Sequence, residues 1–151
     1  MNDVEPNSDA DTLARRCADA MWRDDAASLA MGMSLDFVAT GRARMSMRVR
    51  SDMVNGHGLC HGGLIFSLAD SAMAFAANSH GDRAVAQHCS VTFVRPAREG
   101  ELLTAAAEER SRAGRSGIYD VRVTGSSDGS VVAEFRGHSR LTGGRFFSDG
   151  G

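Results

Sequence analysis

From Gly62 to Ser79 the apolar residues Leu64, Ile65, Leu68, Ala72, Met73, Phe75 and Ala76 spread round more than one face of any helix built there. A helix that is apolar nearly all round must be covered on most sides. In a chain of 151 residues, a strongly curved antiparallel sheet wrapped round one central buried helix provides that cover, an α+β arrangement. Within the segment from Asn55 to Gly81, Asp70 is the sole carboxylate and there is no lysine or arginine. An unpaired carboxylate in apolar surroundings costs several kcal/mol or raises its pKa. Asp70 therefore points either to a dedicated partner or to chemistry.

The flanking sequence supplies strands. Met33, Leu35 and Phe37 alternate with smaller or polar neighbours, then Ala43, Met45, Met47 and Val49 alternate with Arg44, Ser46, Arg48 and Arg50, with a joint near Thr40-Gly41. That period of two gives one apolar and one arginine face, as in a sheet covered on one side. Four more strand-like runs follow the helix: Ala84 to Val94, Leu102 to Glu109, Gly117 to Thr124 and Val131 to Leu141. The last two are joined by the hairpin signal Gly125-Ser126-Ser127-Asp128-Gly129. The central helix is expected over about Gly62 to Ser79, with Gly81 as its C′ stop. Ser8 or Asp9 can cap an N-terminal helix with Leu13, Cys17, Ala20 and Met21 on one face. The division is a helical lead over 1–30, the main domain over 31–142 and a Gly-rich, loosely ordered tail over 143–151.

Composition removes several classes of function. The formal net charge is -2, and all 17 basic side chains are arginine, which gives no overall field for nucleic acid. No run approaches the length of a membrane span, and the N-terminus opens with acids rather than a basic leader. A cytoplasmic protein with no membrane partner is expected. Cys17, Cys60 and Cys89 are an odd number without Cys-x-x-Cys spacing, so reduced thiols are expected rather than a disulfide framework or zinc knuckle.

Read on chemistry alone, the candidate site residues each keep a bland alternative. Asp70, ionised, can deprotonate water or attack a carbonyl, or it can be a buried carboxylate bonded to backbone. Gly62 stands where helix N–H groups are unpaired and the dipole is positive, suiting an oxyanion or a plain helix cap. His61 can orient substrate or cap the helix, and Asn55-Gly56 can position a water or simply turn the chain. Gly56-x-Gly58 lacks the third glycine of a dinucleotide fingerprint, and the spacing Gly-x-Ser-x-Gly occurs at Gly125-Ser126-Ser127-Asp128-Gly129, a hairpin connection between two strand-like runs where a nucleophile elbow needs a strand-to-helix turn. Cys60 beside His61 lacks a third orienting residue, and His57, His61 and Asp70 lack the spacing of a helical zinc site. No metal or cofactor is expected. Arg112 and Arg115, in the run Glu108 to Ser116, suit phosphate oxygens or a solvated loop.

Asn55, then His61-Gly62-Gly63, Asp70 and Asn78-Ser79-x-Gly81 together resemble the hotdog thioesterases of the PaaI type, associated with phenylacetate degradation. The likeness continues through Cys89-x-Val91-x-Phe93-x-Arg95-Pro96-Ala97, Gly117-Ile118-Tyr119-Asp120-Val121 and Phe135-Arg136-Gly137-x-Ser139, covering about residues 30 to 142. The resemblance implies a hotdog fold that hydrolyses acyl-CoA. In it Asp70 is nucleophile or general base, Gly62 the oxyanion donor, and Asn55 and His61 orient the carbonyl or water. It further implies that Arg112 and Arg115 lie near the CoA nucleotide, and that the substrate is a phenylacetyl- or hydroxyphenylacetyl-CoA, or a related aromatic or medium-chain acyl-CoA. Pairing of subunits edge to edge as a homodimer, or as a dimer of dimers (a homotetramer), would set Asp70 against Asn55, His61 and Gly62 of a partner chain. The rivals are a non-catalytic acyl-CoA-binding hotdog protein and a hotdog hydratase or dehydratase. Some relatives place Ser or Thr near the nucleophile on the following strand. Here that run reads Ala86-Gln87-His88-Cys89-Ser90 and singles out no residue.

Overall fold

The alternating and periodic runs become three α-helices and six strands in a computed structural model that describes residues 9–148. In chain order these are α1 (Asp9–Arg23), α2 (Ala26–Ala30), β1 (Ser34–Ala39), β2 (Arg42–Arg48), α3 (Gly62–Ala77), β3 (Asp82–Phe93), β4 (Leu102–Ala113), β5 (Ser116–Gly125) and β6 (Val131–Arg145). The lead over 1–8, with the alternative cap Ser8, lies outside the described residues, as do residues 149–151. The strands form one antiparallel sheet in the order β1-β2-β4-β5-β6-β3. This is the hotdog architecture, with α3 as its filling.

The inner face of the sheet is built from one side of each alternation. Ala43, Met45 and Met47 of β2, Leu103, Ala105 and Ala107 of β4, Tyr119, Val121 and Val123 of β5 and Phe135 of β6 are buried there with Leu68, Ala72, Met73 and Ala76 of α3. Each large apolar side chain covered this way contributes about 1.5–3 kcal/mol. Gly137 lets the helix come close, since a Cβ there would run into the sulfur of Met73. The other face carries charge: Arg136 pairs with Asp120 at 2.6 Å and Arg122 with Glu134 at 2.8 Å.

Local chemistry moves several boundaries. α3 ends at Ala77, two residues short of the expected Ser79, because side chains take over its last carbonyls. The Asn78 amide donates to the carbonyls of Ala74 and Ala84, and the Ser79 hydroxyl donates to that of Ala76. Gly81, at φ +96°, then turns the chain into β3. α1 buries Ala14, Cys17 and Ala18, so its covered stripe includes Ala14 and Ala18 where Ala20 was expected. β4 continues past a bulge between Glu109 and Ser111 to Ala113, which puts Arg112 on a strand instead of in a loop.

The tail expected to be loose over 143–151 is held wherever it is described. β6 runs through Gly143 and Gly144 to Arg145, opposite Asp82 of β3. The Phe146 N–H then donates to the Gly81 carbonyl, and Arg83 and Arg16 lie 4.2 Å over the rings of Phe146 and Phe147. Among the described residues no helix is long and apolar enough to cross a membrane.

Candidate active site

The loop before α3 is closed by Asn55. Its N–H donates to the Leu59 carbonyl at 2.7 Å, and its side-chain Oδ1 accepts from the N–H groups of His57 and Leu59 at 2.9 and 3.2 Å. Asn55 is therefore the organiser of a turn, and its Oδ1 is already engaged. The loop is pinned behind by Cys60 N–H to the Ala97 carbonyl and by His61 N–H to the Met53 carbonyl, both at 2.8 Å.

His61 is the N-cap of α3. Its Nδ1 accepts from the Gly63 N–H at 2.9 Å, which assigns the ring proton to Nε2 in the neutral form. Its carbonyl accepts from Leu64 and Ile65 at 3.0 and 3.4 Å. The N–H groups at the start of a helix lack intrahelical partners. Here those of Gly63, Leu64 and Ile65 are satisfied by His61, whereas the Gly62 N–H has no hydrogen-bond partner among the described residues. A free N–H at the positive end of a helix is a ready donor to a developing oxyanion.

Gly62 and Asn55 line the same open groove, of about 340 Å³, with Leu59, Ile65, Phe93 and Val94 among its walls. His61 adjoins it by sequence and is exposed. Asp70 is not among the residues that line it. At 1.5 Å per residue along α3, its backbone stands about 12 Å from Gly62.

Asp70 is half-buried on the third turn of α3. Its carboxylate has neither hydrogen bond nor ion pair among the described residues, and burial pushes its pKa up. Of the run Ala86 to Ser90, Cys89 is the residue whose thiol senses Asp70: burial first, and the charge of Asp70 second, raise its pKa. Cys60 is buried, and burial followed by the Glu101 charge pushes its thiol up, the opposite of nucleophile activation.

Arg112 and Arg115 line a small cleft with Ala77, Tyr119 and Ser139 at the far end of α3, about 22 Å along the axis from Gly62. The Arg112 Nε is 4.0 Å from Glu109 Oε1, so part of its charge is answered within the chain. Among the described residues no three His, Cys, Asp or Glu side chains converge in a way that could hold a metal ion. Phe93, the last residue of β3, touches Gly62 in the groove and was not singled out from sequence as a site residue. Its signal is weak: an aromatic two residues ahead of Arg95-Pro96.

The family model for the thioesterase superfamily matches residues 57–132. Acyl-coenzyme A thioesterase PaaI of Escherichia coli is 42% identical over 127 residues, spanning 84% of this chain and 90% of that protein. The structure of the E. coli PaaI protein from the phenylacetic acid degradation operon superposes with a TM-score of 0.88 at 40% identity, covering 90% of this chain and 98% of that one. A single-site variant of the phenylacetic acid degradation protein PaaI from Thermus thermophilus superposes with a TM-score of 0.72 at 36% identity, covering 76% of this chain and 96% of that one.

Proposed function

The chain belongs to the thioesterase superfamily as an acyl-CoA thioesterase of the PaaI type, and from that premise we propose that Asp70 performs the hydrolysis against an oxyanion held by Gly62 of a partner subunit. The observation that carries this is a mismatch. A free donor and a free carboxylate stand about 12 Å apart along one helix, each without a hydrogen-bond or ion-pair partner among the described residues.

In this reading the thioester oxygen rests on the Gly62 N–H, where the helix dipole favours negative charge. His61 and Asn55 hold the loop that presents this donor, and His61 Nε2–H remains available to the substrate carbonyl or to water. Asp70 takes a proton from water as the water oxygen bonds to the carbonyl carbon. The C–S bond then breaks, and the proton passes to the departing CoA sulfur. Attack by Asp70 itself, through an acyl-carboxylate anhydride that water then cleaves, uses the same placement.

The substrate proposed is phenylacetyl- or hydroxyphenylacetyl-CoA, or a related aromatic or medium-chain acyl-CoA, acted on in the cytoplasm. Support for an apolar acyl group comes from Leu59, Ile65, Phe93 and Val94 in the groove beside Gly62. Support for subunit pairing comes from β3, a sheet edge with Val85 and His88 exposed along it. A homodimer joined there, or a dimer of dimers, would complete the site.

The test is hydrolysis of benzoyl-, phenylacetyl-, hydroxyphenylacetyl- and straight-chain acyl-CoAs by the wild-type protein and by Asp70→Asn. Loss of about 10²-fold or more in kcat is the expected scale for a positioned acid-base group. Near-normal turnover by Asp70→Asn would remove Asp70 from the mechanism.

A further inference from the structure

Phe93 closes the last turn of β3 against the first turn of α3. A Cβ built on Gly62 would lie 2.9 Å from the ring Cζ of Phe93 and 3.3 Å from both Cε atoms. Those distances put the Cβ almost along the ring normal above Cζ, so the Cζ end of the ring lies with its face over Gly62. The rest of the ring stands clear, for Phe93 is 49% exposed and its neighbour Val94 56%.

The backbone beneath the ring is anchored. The Val94 N–H donates to the Val132 carbonyl at 2.8 Å, and the next residue, Arg95, is tied to Glu101 at 2.9 Å and to Ser130 at 2.6 Å. The strand end that carries the ring is thus fixed beside the first turn of α3, where the Gly62 N–H is the one without a hydrogen-bond partner among the described residues. Leu59, Ile65 and Pro96 continue the same apolar wall. A hydrogen bond to a developing negative charge is worth far more where water is excluded than where it competes.

We infer that Phe93 is a positioning residue, its ring tip resting on Gly62 to keep water away from the Gly62 N–H and hold that donor ready for the thioester oxygen. Gly62 and Phe93 then form a matched pair. A methyl group at 62 would displace the ring and unseal the donor, which makes the missing side chain at 62 a requirement of the seal as much as of helix capping. This inference rests on the reading of Gly62 as the oxyanion donor.

The experiment measures kcat, KM and melting temperature for the wild type, Phe93→Ala, Phe93→Leu, Gly62→Ala and the double variant Phe93→Ala/Gly62→Ala, on the best acyl-CoA from the screen. Removing an oxyanion donor outright costs about 10²–10³ in kcat, so unsealing one is expected to cost about tenfold. Phe93→Ala should show that loss in kcat with KM moved less than kcat, and Phe93→Leu, which still reaches Gly62, should restore most of it. The Gly62→Ala loss should shrink in the Phe93→Ala background, because the displaced ring is already gone. Unchanged kcat per folded molecule, an effect confined to KM, or multiplicative losses in the double variant would each overturn the assignment while leaving the thioesterase reading intact. A wild-type protein inactive on every acyl-CoA would overturn both.

Discussion

Asp70 combines a helical backbone, partial burial and the absence of any ion pair among the described residues, and those three facts set its pH behaviour. Burial holds its folded pKa above the ordinary carboxylate value, so the folded chain binds this proton more tightly than the unfolded chain does. Below the unfolded value, about 3.9, the group costs nothing. The penalty grows as pH rises from there through the raised folded value and is constant above it. Asp70→Asn is therefore expected to raise the melting temperature at neutral pH, by an amount that shrinks as pH falls towards about 4. Melting curves across a pH series check this, and a lower melting temperature at pH 7 would reveal a stabilising partner for the carboxylate in the assembled protein. Tyr119 shows the contrasting case of a partnered group. Burial, then the Glu109 charge, keeps its hydroxyl protonated well above the usual phenol range, and it donates to Glu109 at 2.9 Å, where His80 also meets the carboxylate at 2.7 Å.

At the scale of elements, the β4–β5 hairpin carries the arginine candidates. Its turn passes through Gly114 at φ +58°, which places Arg112 near the end of one strand and Arg115 beside the start of the next. If they hold the CoA phosphates, replacing both with Ala should raise KM for acyl-CoA while sparing turnover of an acyl-pantetheine without those phosphates, since the lost contacts are uniform binding energy. Equal effects on the two substrates would reject the assignment. The strands were legible because Met45 and Met47 alternate with Arg44 and Arg48, and α3 because its apolar residues cover most of its circumference, leaving a narrow stripe of Ser67, Asp70 and Ser71. α2 was not legible: its five residues are too few for a period to register, and its Asp25 cap shows only once Ser28 is seen to donate to it. The extra length of β4 is hidden by its bulge, and the order of the tail depends on arginines from α1 and β3 lying over Phe146 and Phe147. Within the site, His61 and Gly62 follow from helix-start chemistry, which is local. The contact of Phe93 with Gly62 joins residues far apart in the chain and leaves no periodic trace.

For the whole molecule, the proposed division of the site between two copies makes a prediction that neither copy could satisfy alone. Homodimers of Asp70→Asn and of Asn55→Ala should each be weak. A mixed dimer contains one site with both residues intact and one with both lost, so it should recover up to about half the wild-type activity if the sites act independently. Purifying the mixed species with two different tags and assaying it beside both parents tests this. A mixed dimer no better than its parents, correctly folded and of the right mass, would place the complete site within one chain.

The two margins of the sheet differ in what they permit. β3 offers an open ladder twelve residues long, whereas β1, at the opposite margin, has six residues and is kinked by a bulge between Leu35 and Phe37 with Asp36 at its centre. A short, bulged, charged margin is a poor template for another strand. In the proposed pairing, strand addition is thus self-terminating: once two β3 ladders have met, each end of the enlarged sheet would present a β1, and a rise in concentration would fill closed pairs instead of lengthening a ribbon.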